Sequence, residues 1–229
     1  MRVAVTGGKG GVGKSTVAYN LGAVADAVVV DGDLGMADLP GSAGPDLHDV
    51  LADRAEPVEA VREGGPVDML PCGRSLAGAR AADVRGLVAA VRSVERAYGD
   101  VVVDCPAGLA ADAGMPLLAA DRTVLVALPD AFALPDALRT RALARELDAG
   151  LAQVVLNRTG TNPPRAAVER ALGAPVTTVP ESDPLARATA TGQPVTATAP
   201  DSAAAEAFHA LAAAITPPRR GARRTPRGR

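Results

Sequence analysis

The sequence predicts an α/β fold: a mainly parallel sheet of about seven strands with helices on both faces. Three observations predict it. Short β-branched apolar runs alternate with longer Ala/Leu/Arg stretches of helical spacing. The 229 residues are 48% apolar and 22% charged, enough for one core and at most two domains. Residues 1–216 show no composition break and no repeat of fixed period, so they read as one domain, followed by a tail at 217–229.

Strands are expected where β-branched residues cluster: VAVT (3–6), AVVVD (27–31), VDML (67–70), DVVVD (100–104), TVLVAL (123–128), AQVVLN (152–157) and PVTTV (175–179). The intervening stretches carry helical periodicity near 15–25, 46–62, 82–98, 132–148, 164–172, 183–191 and 202–215. Aromatic residues are 2% of the chain and Trp is absent, so Val, Leu and Ala must build the core and little surface suits base stacking.

Composition excludes several classes. Cys72 and Cys105 stand far apart with no CxxC or Cys/His cluster, which leaves neither a disulfide framework nor an iron-sulfur or zinc site of ordinary spacing. The chain opens into MRVAVTGG without a signal-like segment, and no window of about 18 apolar residues follows, so a cytoplasmic protein without a transmembrane segment is expected. Only two of the 24 basic residues are lysines, Lys9 and Lys14, and both lie in one loop. Residues 217–229 hold six arginines and no acid, leaving 18 basic against 26 acidic residues in the body, a net charge of −8. With three prolines and two glycines this basic tail is expected to be disordered. Its attraction would be electrostatic, toward DNA or an anionic surface, unless it folds back on the acidic body. No apolar residue follows Pro218 except Ala222, so no amphipathic membrane helix is encoded there.

The chemistry concentrates at the first strand-to-helix turn. Gly8-Lys9-Gly10-Gly11-Val12-Gly13-Lys14-Ser15 satisfies GxxxxGK[ST] directly after VAVT, the context a P-loop requires. Its glycines let backbone N–H groups curl around phosphate oxygens, and the next helix adds its dipole. Lys14 would reach the β and γ phosphates, and Ser15 would offer a hydroxyl to Mg²⁺.

A second lysine, Lys9, makes the loop KGGVGKST, which resembles the deviant Walker A motif of the MinD/ParA family of P-loop ATPases. The resemblance extends over nearly all of residues 1–215 and implies an ATP-dependent homodimer in which Lys9 reaches the nucleotide of the partner subunit. A cation supplied across an interface also has a physical rationale, since it makes hydrolysis conditional on dimerisation. By the same resemblance, Lys9, Gly10, Gly11, Val12, Gly13, Lys14, Ser15 and Thr16 line the nucleotide. VVVDGDLGMADL (28–39) looks like switch I. Its acids Asp31 and Asp33 are one residue apart, so on an extended strand end both would face the phosphate site. Asp33 would hold the attacking water and the magnesium shell.

VVVDCPAGL (101–109) is similar to Walker B and switch II. Asp104 would bind Mg²⁺ through water and Gly108 would sense the γ-phosphate, while Cys105 reads as a small packing residue. The PAG form is nearer to MinD than to ParA proteins. Asn157, at the end of VVLNR, would pair with adenine, and Pro180-Glu181 would pack on the ring's other edge. An amide capping the strand end is the alternative for Asn157. The sequence NRTG in place of NKxD favours ATP over GTP. NLGAVADAVVVD lacks the usual lead-in to the second strand, so a trimmed first helix is expected.

Taken together, the resemblance implies a MinD-like ATPase that uses ATP and Mg²⁺, answers to an activating protein partner and regulates cell division or cellular positioning, cytoplasmic or peripheral to a membrane or the nucleoid. The alternative is a ParA-like partitioning ATPase whose tail touches DNA without sequence preference. A cluster carrier is disfavoured by the missing CxxC, and an amide-forming synthetase by the lack of a substrate domain.

Overall fold

The computed structural model describes residues 1–35, 39, 44–108, 111–129 and 134–216. The basic tail at 217–229 lies outside them. Seven strands form one sheet: β1 (Arg2–Thr6), β2 (Val28–Asp31), β3 (Met69–Leu70), β4 (Val101–Asp104), β5 (Arg122–Ala127), β6 (Gly150–Thr159) and β7 (Val176–Pro180). Their order is β3-β2-β4-β1-β5-β6-β7, and each pairing of neighbours is parallel. The helices are α1 (Lys14–Ala25), α2 (Leu47–Val50), α3 (Leu76–Ala81), α4 (Leu87–Tyr98), α5 (Ala111–Ala119), α6 (Leu134–Glu146), α7 (Arg165–Leu172), α8 (Asp183–Ala190), α9 (Val195–Thr198) and α10 (Ala203–Ile215).

Because successive strand residues point to opposite faces, the valine runs feed two cores at once. Val3, Val5, Val29, Val102, Val124 and Val126 face α1 and α10, whose Leu21, Phe208, Leu211 and Ile215 fill that layer. Val28, Val30, Val101 and Val103 point the other way, against Leu87, Val91 and Val94 of α4 and Leu47 of α2. Leu125, Val154 and Leu156 extend this second layer toward Ala137 of α6 and Leu172 of α7. The result is the two-faced parallel sheet that the sequence predicts.

Local expectations fail in four places. The helix expected over 46–62 is realised only as α2, because Asp53 adopts φ 55 and Pro57 follows, and turns carry the chain onward. The strand at 67–70 shrinks to Met69–Leu70, an edge strand bracketed by Pro66 and Pro71. Helix α5 lies outside the expected helices and contains Gly114 and Pro116, yet it forms and buries Leu117 against Ala4 and Cys105. Strand β6 does not end at Asn157 but shifts register there and runs on to Thr159, with Arg158 at φ 55. The short helices α3 and α9 also carried no periodic signal. Helix α1 has 12 residues and stops at Asp26, whose left-handed φ of 52 turns the chain into β2.

The order of strands sets the position of the site. Chain reversal between the two halves of the sheet leaves a crevice at the carboxyl ends of the central strands, where β1 emits the glycine-rich loop into α1. Val5 and Asp31 are both in register with Asp104 on β4, so two acids stand side by side at that edge.

Candidate functional site

The loop between β1 and α1 keeps its shape through glycine. Gly11 and Gly13 have φ of 75 and 97, in the left-handed region, and Gly13 is the residue from which α1 starts. Gly13 is also hemmed in from outside: a Cβ there would lie 2.2 Å from Nδ2 of Asn157. Beyond the loop, α1 bonds Val17 N–H to the Gly13 carbonyl at 3.0 Å, so its first free N–H groups point into the loop. Lys14 is 8% exposed although it is a lysine.

Opposite the loop stand the acids. Asp104 is buried, and the Ser15 side chain lies close enough to favour its charged form. Among the described residues its Oδ1 has no hydrogen-bond partner. Burial pushes the Asp104 carboxyl up to about 7, with Asp31 and Asp33 adding to the rise and Ser15 and Lys14 opposing it. A buried carboxylate with an open oxygen beside a serine hydroxyl suits a hard cation such as Mg²⁺. Ser15 and Asp104 are the residues that would hold it, through the hydroxyl and through water.

Asp31 and Asp33 do not present their carboxylates as an extended pair. The strand ends at Asp31, whose buried Oδ1 accepts the Asp33 N–H at 3.3 Å, so Asp31 shapes the turn and the partly exposed Asp33 follows it. Gly32 lies between them with its N–H on the Asp104 carbonyl at 2.9 Å, which stitches this turn to β4. Gly108 has φ 93, and the residues after it lie outside the described set. Lys9 is partly exposed.

Two adjoining cavities open beside the loop. One, of about 510 Å³, is lined by Gly11, Gly13, Lys14, Ser15 and Thr16 together with Tyr19, Arg74, Arg158 and Gln193. The other, of about 390 Å³, is lined by Thr16, Asn157, Pro180, Glu181 and Leu185. They share Thr16, Arg158, Thr189 and Ala190 as walls, so Gly11, Gly13, Lys14, Ser15 and Thr16 adjoin Asn157, Pro180 and Glu181, whereas Lys9, Gly10, Val12, Asp33, Asp104 and Gly108 line neither cavity. Asn157 itself is engaged with the loop, its Nδ2 donating to the Val12 carbonyl at 2.8 Å. Arg74, Arg158 and Gln193 were not legible beforehand. Arg158 could have been suspected from its place after Asn157, whereas Arg74 and Gln193 come from distant loops without a motif. The floor is tied down by Tyr19, whose hydroxyl donates to Gly192 at 2.7 Å, and by Asn20, whose Oδ1 accepts Val195 N–H at 2.8 Å.

Among the described residues no helix is long and apolar enough to cross a membrane. Residues 3–195 match the profile of the CobQ/CobB/MinD/ParA nucleotide-binding domain. The chain is 32% identical to an uncharacterised ATP-binding protein of Methanocaldococcus jannaschii, over 93% of this chain and 86% of that protein. The cell division ATPase MinD of Pyrococcus furiosus superposes with a TM-score of 0.87 at 32% identity, over 93% of this chain and 97% of that one. The septum site-determining protein MinD of Pyrococcus horikoshii, solved with Mg-ADP, gives 0.86 at 30% identity over 92% and 93%. On the match over residues 3–195 and these likenesses in sequence and fold, the chain belongs to the MinD/ParA family of P-loop ATPases.

Proposed function

We propose that this protein binds Mg-ATP, dimerises with the nucleotide held between two copies, hydrolyses it, and acts in the manner of MinD as a spatial regulator of cell division or cellular positioning. The observation that carries the reading is a two-lysine P-loop whose Lys14 and Ser15 line a cavity of about 510 Å³, with the buried Asp104 carboxylate next to Ser15. Residues 1–216 form the ATPase domain in this reading, and an activating protein partner would set the rate.

Each residue has one task. The loop N–H groups from Gly10 to Thr16 cradle the phosphates, and Lys14 neutralises charge on the β and γ groups. Ser15 and Asp104 would hold Mg²⁺, which would supply further positive charge to the phosphates when bound. Asp33 orients the attacking water, and Lys9 of a second copy would place positive charge where the leaving oxygens gain negative charge. Gly108 offers its backbone to the γ-phosphate. Asn157, Pro180 and Glu181 wall the base cavity. The MinD of Pyrococcus horikoshii binds Mg-ADP, and its likeness in sequence and fold supports the cofactor assignment.

The test is a set of three variants. Lys14→Ala should abolish Mg-ATP binding in calorimetry. Asp33→Ala should bind normally and accumulate an ATP dimer in light scattering, whereas Lys9→Ala should lose the dimer and its stimulated turnover. Micromolar Mg-ATP affinity unchanged in Lys14→Ala, or wild-type hydrolysis by a monomeric Asp33→Ala, overturns the reading.

A second reading rests on the basic tail. Six arginines in thirteen residues would support a ParA-like partitioning role with non-specific DNA contact. Deletion of 217–229 should spare ATPase activity and reduce salt-sensitive retention on DNA or anionic vesicles. Equal retention of both forms at low salt removes the support for this alternative.

A further inference from the structure

Two buried side chains beside the site have no task in the scheme above. Cys72, just beyond β3, is fully buried, and its thiol donates to the Asp33 carbonyl at 3.2 Å. His48, in α2, is 3% exposed, and its Nε2 lies 3.1 Å from the Leu34 carbonyl and 3.4 Å from Cys72 Sγ. A carbonyl oxygen only accepts, so Nε2 carries the hydrogen and donates to Leu34. The thiol keeps its own proton, because burial, reinforced by Asp31, Asp33 and Asp46, pushes its pKa upward. Consecutive carbonyls of one short segment are thus held by two donors from elsewhere in the chain.

The holders are themselves rigid. His48 N–H bonds the Cys72 carbonyl at 3.0 Å and Leu47 N–H bonds that of Pro71 at 2.8 Å, which locks α2 onto the end of β3. Asp46 and Asp49 close a reciprocal capping box at the start of α2. The backbone packs directly against the imidazole: a Cβ at Gly73 would come within 2.7 Å of Nδ1, and one at Gly78 within 3.0 Å. The ring has no room to swing. On the other side of the same segment, Asp31 takes the Asp33 N–H. The peptide groups on both sides of Asp33 are therefore fixed, and with them the direction in which its Cα–Cβ bond leaves the backbone.

We propose that His48 and Cys72 are positioning residues for hydrolysis, fixing the Asp33–Leu34 backbone so that the Asp33 carboxylate stands where the attacking water must be oriented. The inference rests on the assignment of Asp33 made above. It differs from core packing in one respect: packing needs shape, whereas positioning needs hydrogen-bond donors at those two carbonyls.

The experiment compares donor-keeping with donor-removing variants of the full chain. The amide of His48→Gln reaches the place of Nε2, while that of His48→Asn stops near Nδ1. Cys72→Ser keeps a donor, and Cys72→Val removes it. Mg-ATP affinity is followed by calorimetry and hydrolysis by single-turnover phosphate release. His48→Asn and Cys72→Val should each lower the hydrolysis rate by about tenfold with nucleotide affinity within about twofold, since a misplaced catalytic group costs rate before binding. His48→Gln and Cys72→Ser should recover most of it. In an Asp33→Ala background neither loss should appear again, because the residues act through Asp33. Should one site fail to yield folded protein, the pair at the other decides.

Unchanged rates in His48→Asn and Cys72→Val, with hydrolysis lost in Asp33→Ala, refute this inference alone, as do losses that persist undiminished in the Asp33→Ala background. Wild-type hydrolysis by Asp33→Ala refutes the underlying assignment as well.

Discussion

Asn157 offers the sharpest discrimination between two roles. Its Nδ2 donates to the Val12 carbonyl at 2.8 Å, both residues being buried, and Gly13 packs against the same amide. Asn157→Leu keeps similar bulk and deletes the donor, leaving the Val12 carbonyl without a partner in the closed loop. A buried acceptor stripped of its donor costs about 1–3 kcal/mol. If that cost falls on the loop conformation that cradles phosphate, affinity drops by about 5- to 150-fold. The loss would be the same for every ligand that the loop grips. Calorimetry with Mg-ATP, Mg-GTP and inorganic tripolyphosphate therefore separates the roles. A brace weakens all three together, whereas an adenine contact weakens ATP and spares tripolyphosphate. Full tripolyphosphate affinity in Asn157→Leu, with ATP weakened, would falsify the bracing argument.

Two further outcomes follow from buried groups. The Asp104 carboxyl is raised from 3.8 to about 7, so the fold disfavours its charged form. That penalty is absent below about pH 4, where folded and unfolded chains are both protonated, and complete above about pH 7, on the order of 4 kcal/mol. Without Mg²⁺, Asp104→Asn should therefore unfold later than wild type at pH 8, with the gap closing as pH falls from 7 toward 4; equal denaturant midpoints at pH 8 would contradict the burial argument. Gly22, in the middle of α1, would place a Cβ 2.2 Å from Val29 Cγ2 on β2. Although Ala favours helix by about 1 kcal/mol over Gly, the clash should cost more, about 1–3 kcal/mol. Gly22→Ala should lower the melting temperature by a few degrees, and a higher one would show that the sheet yields easily.

The phosphate loop was legible in the sequence because everything it needs is contiguous: a strand, glycines free to adopt positive φ at Gly11 and Gly13, a lysine and a helix start. The strands were legible because a run of valines buried on both faces of a sheet has few other conformations open to it, and β2 and β4 form at VVVD in both places. What a sequence does not encode locally is the identity of partners. The amide of Asn157 finds Val12 from 145 residues away, Cys72 finds Asp33 from 39, and His48 finds Leu34 from 14, in each case because the order of strands brings their ends to one edge. Helix α5 forms across Gly114 and Pro116 since burying Leu117 outweighs weak local preference, while the stretch after α2 gives up its helical periodicity where Asp53 turns left-handed and Pro57 lacks a donor. Local backbone chemistry decided where phosphate would be held. The tertiary packing of the sheet edge decided which side chains hold that loop and its neighbouring acid in place, because such contacts exist only once distant segments have been brought together.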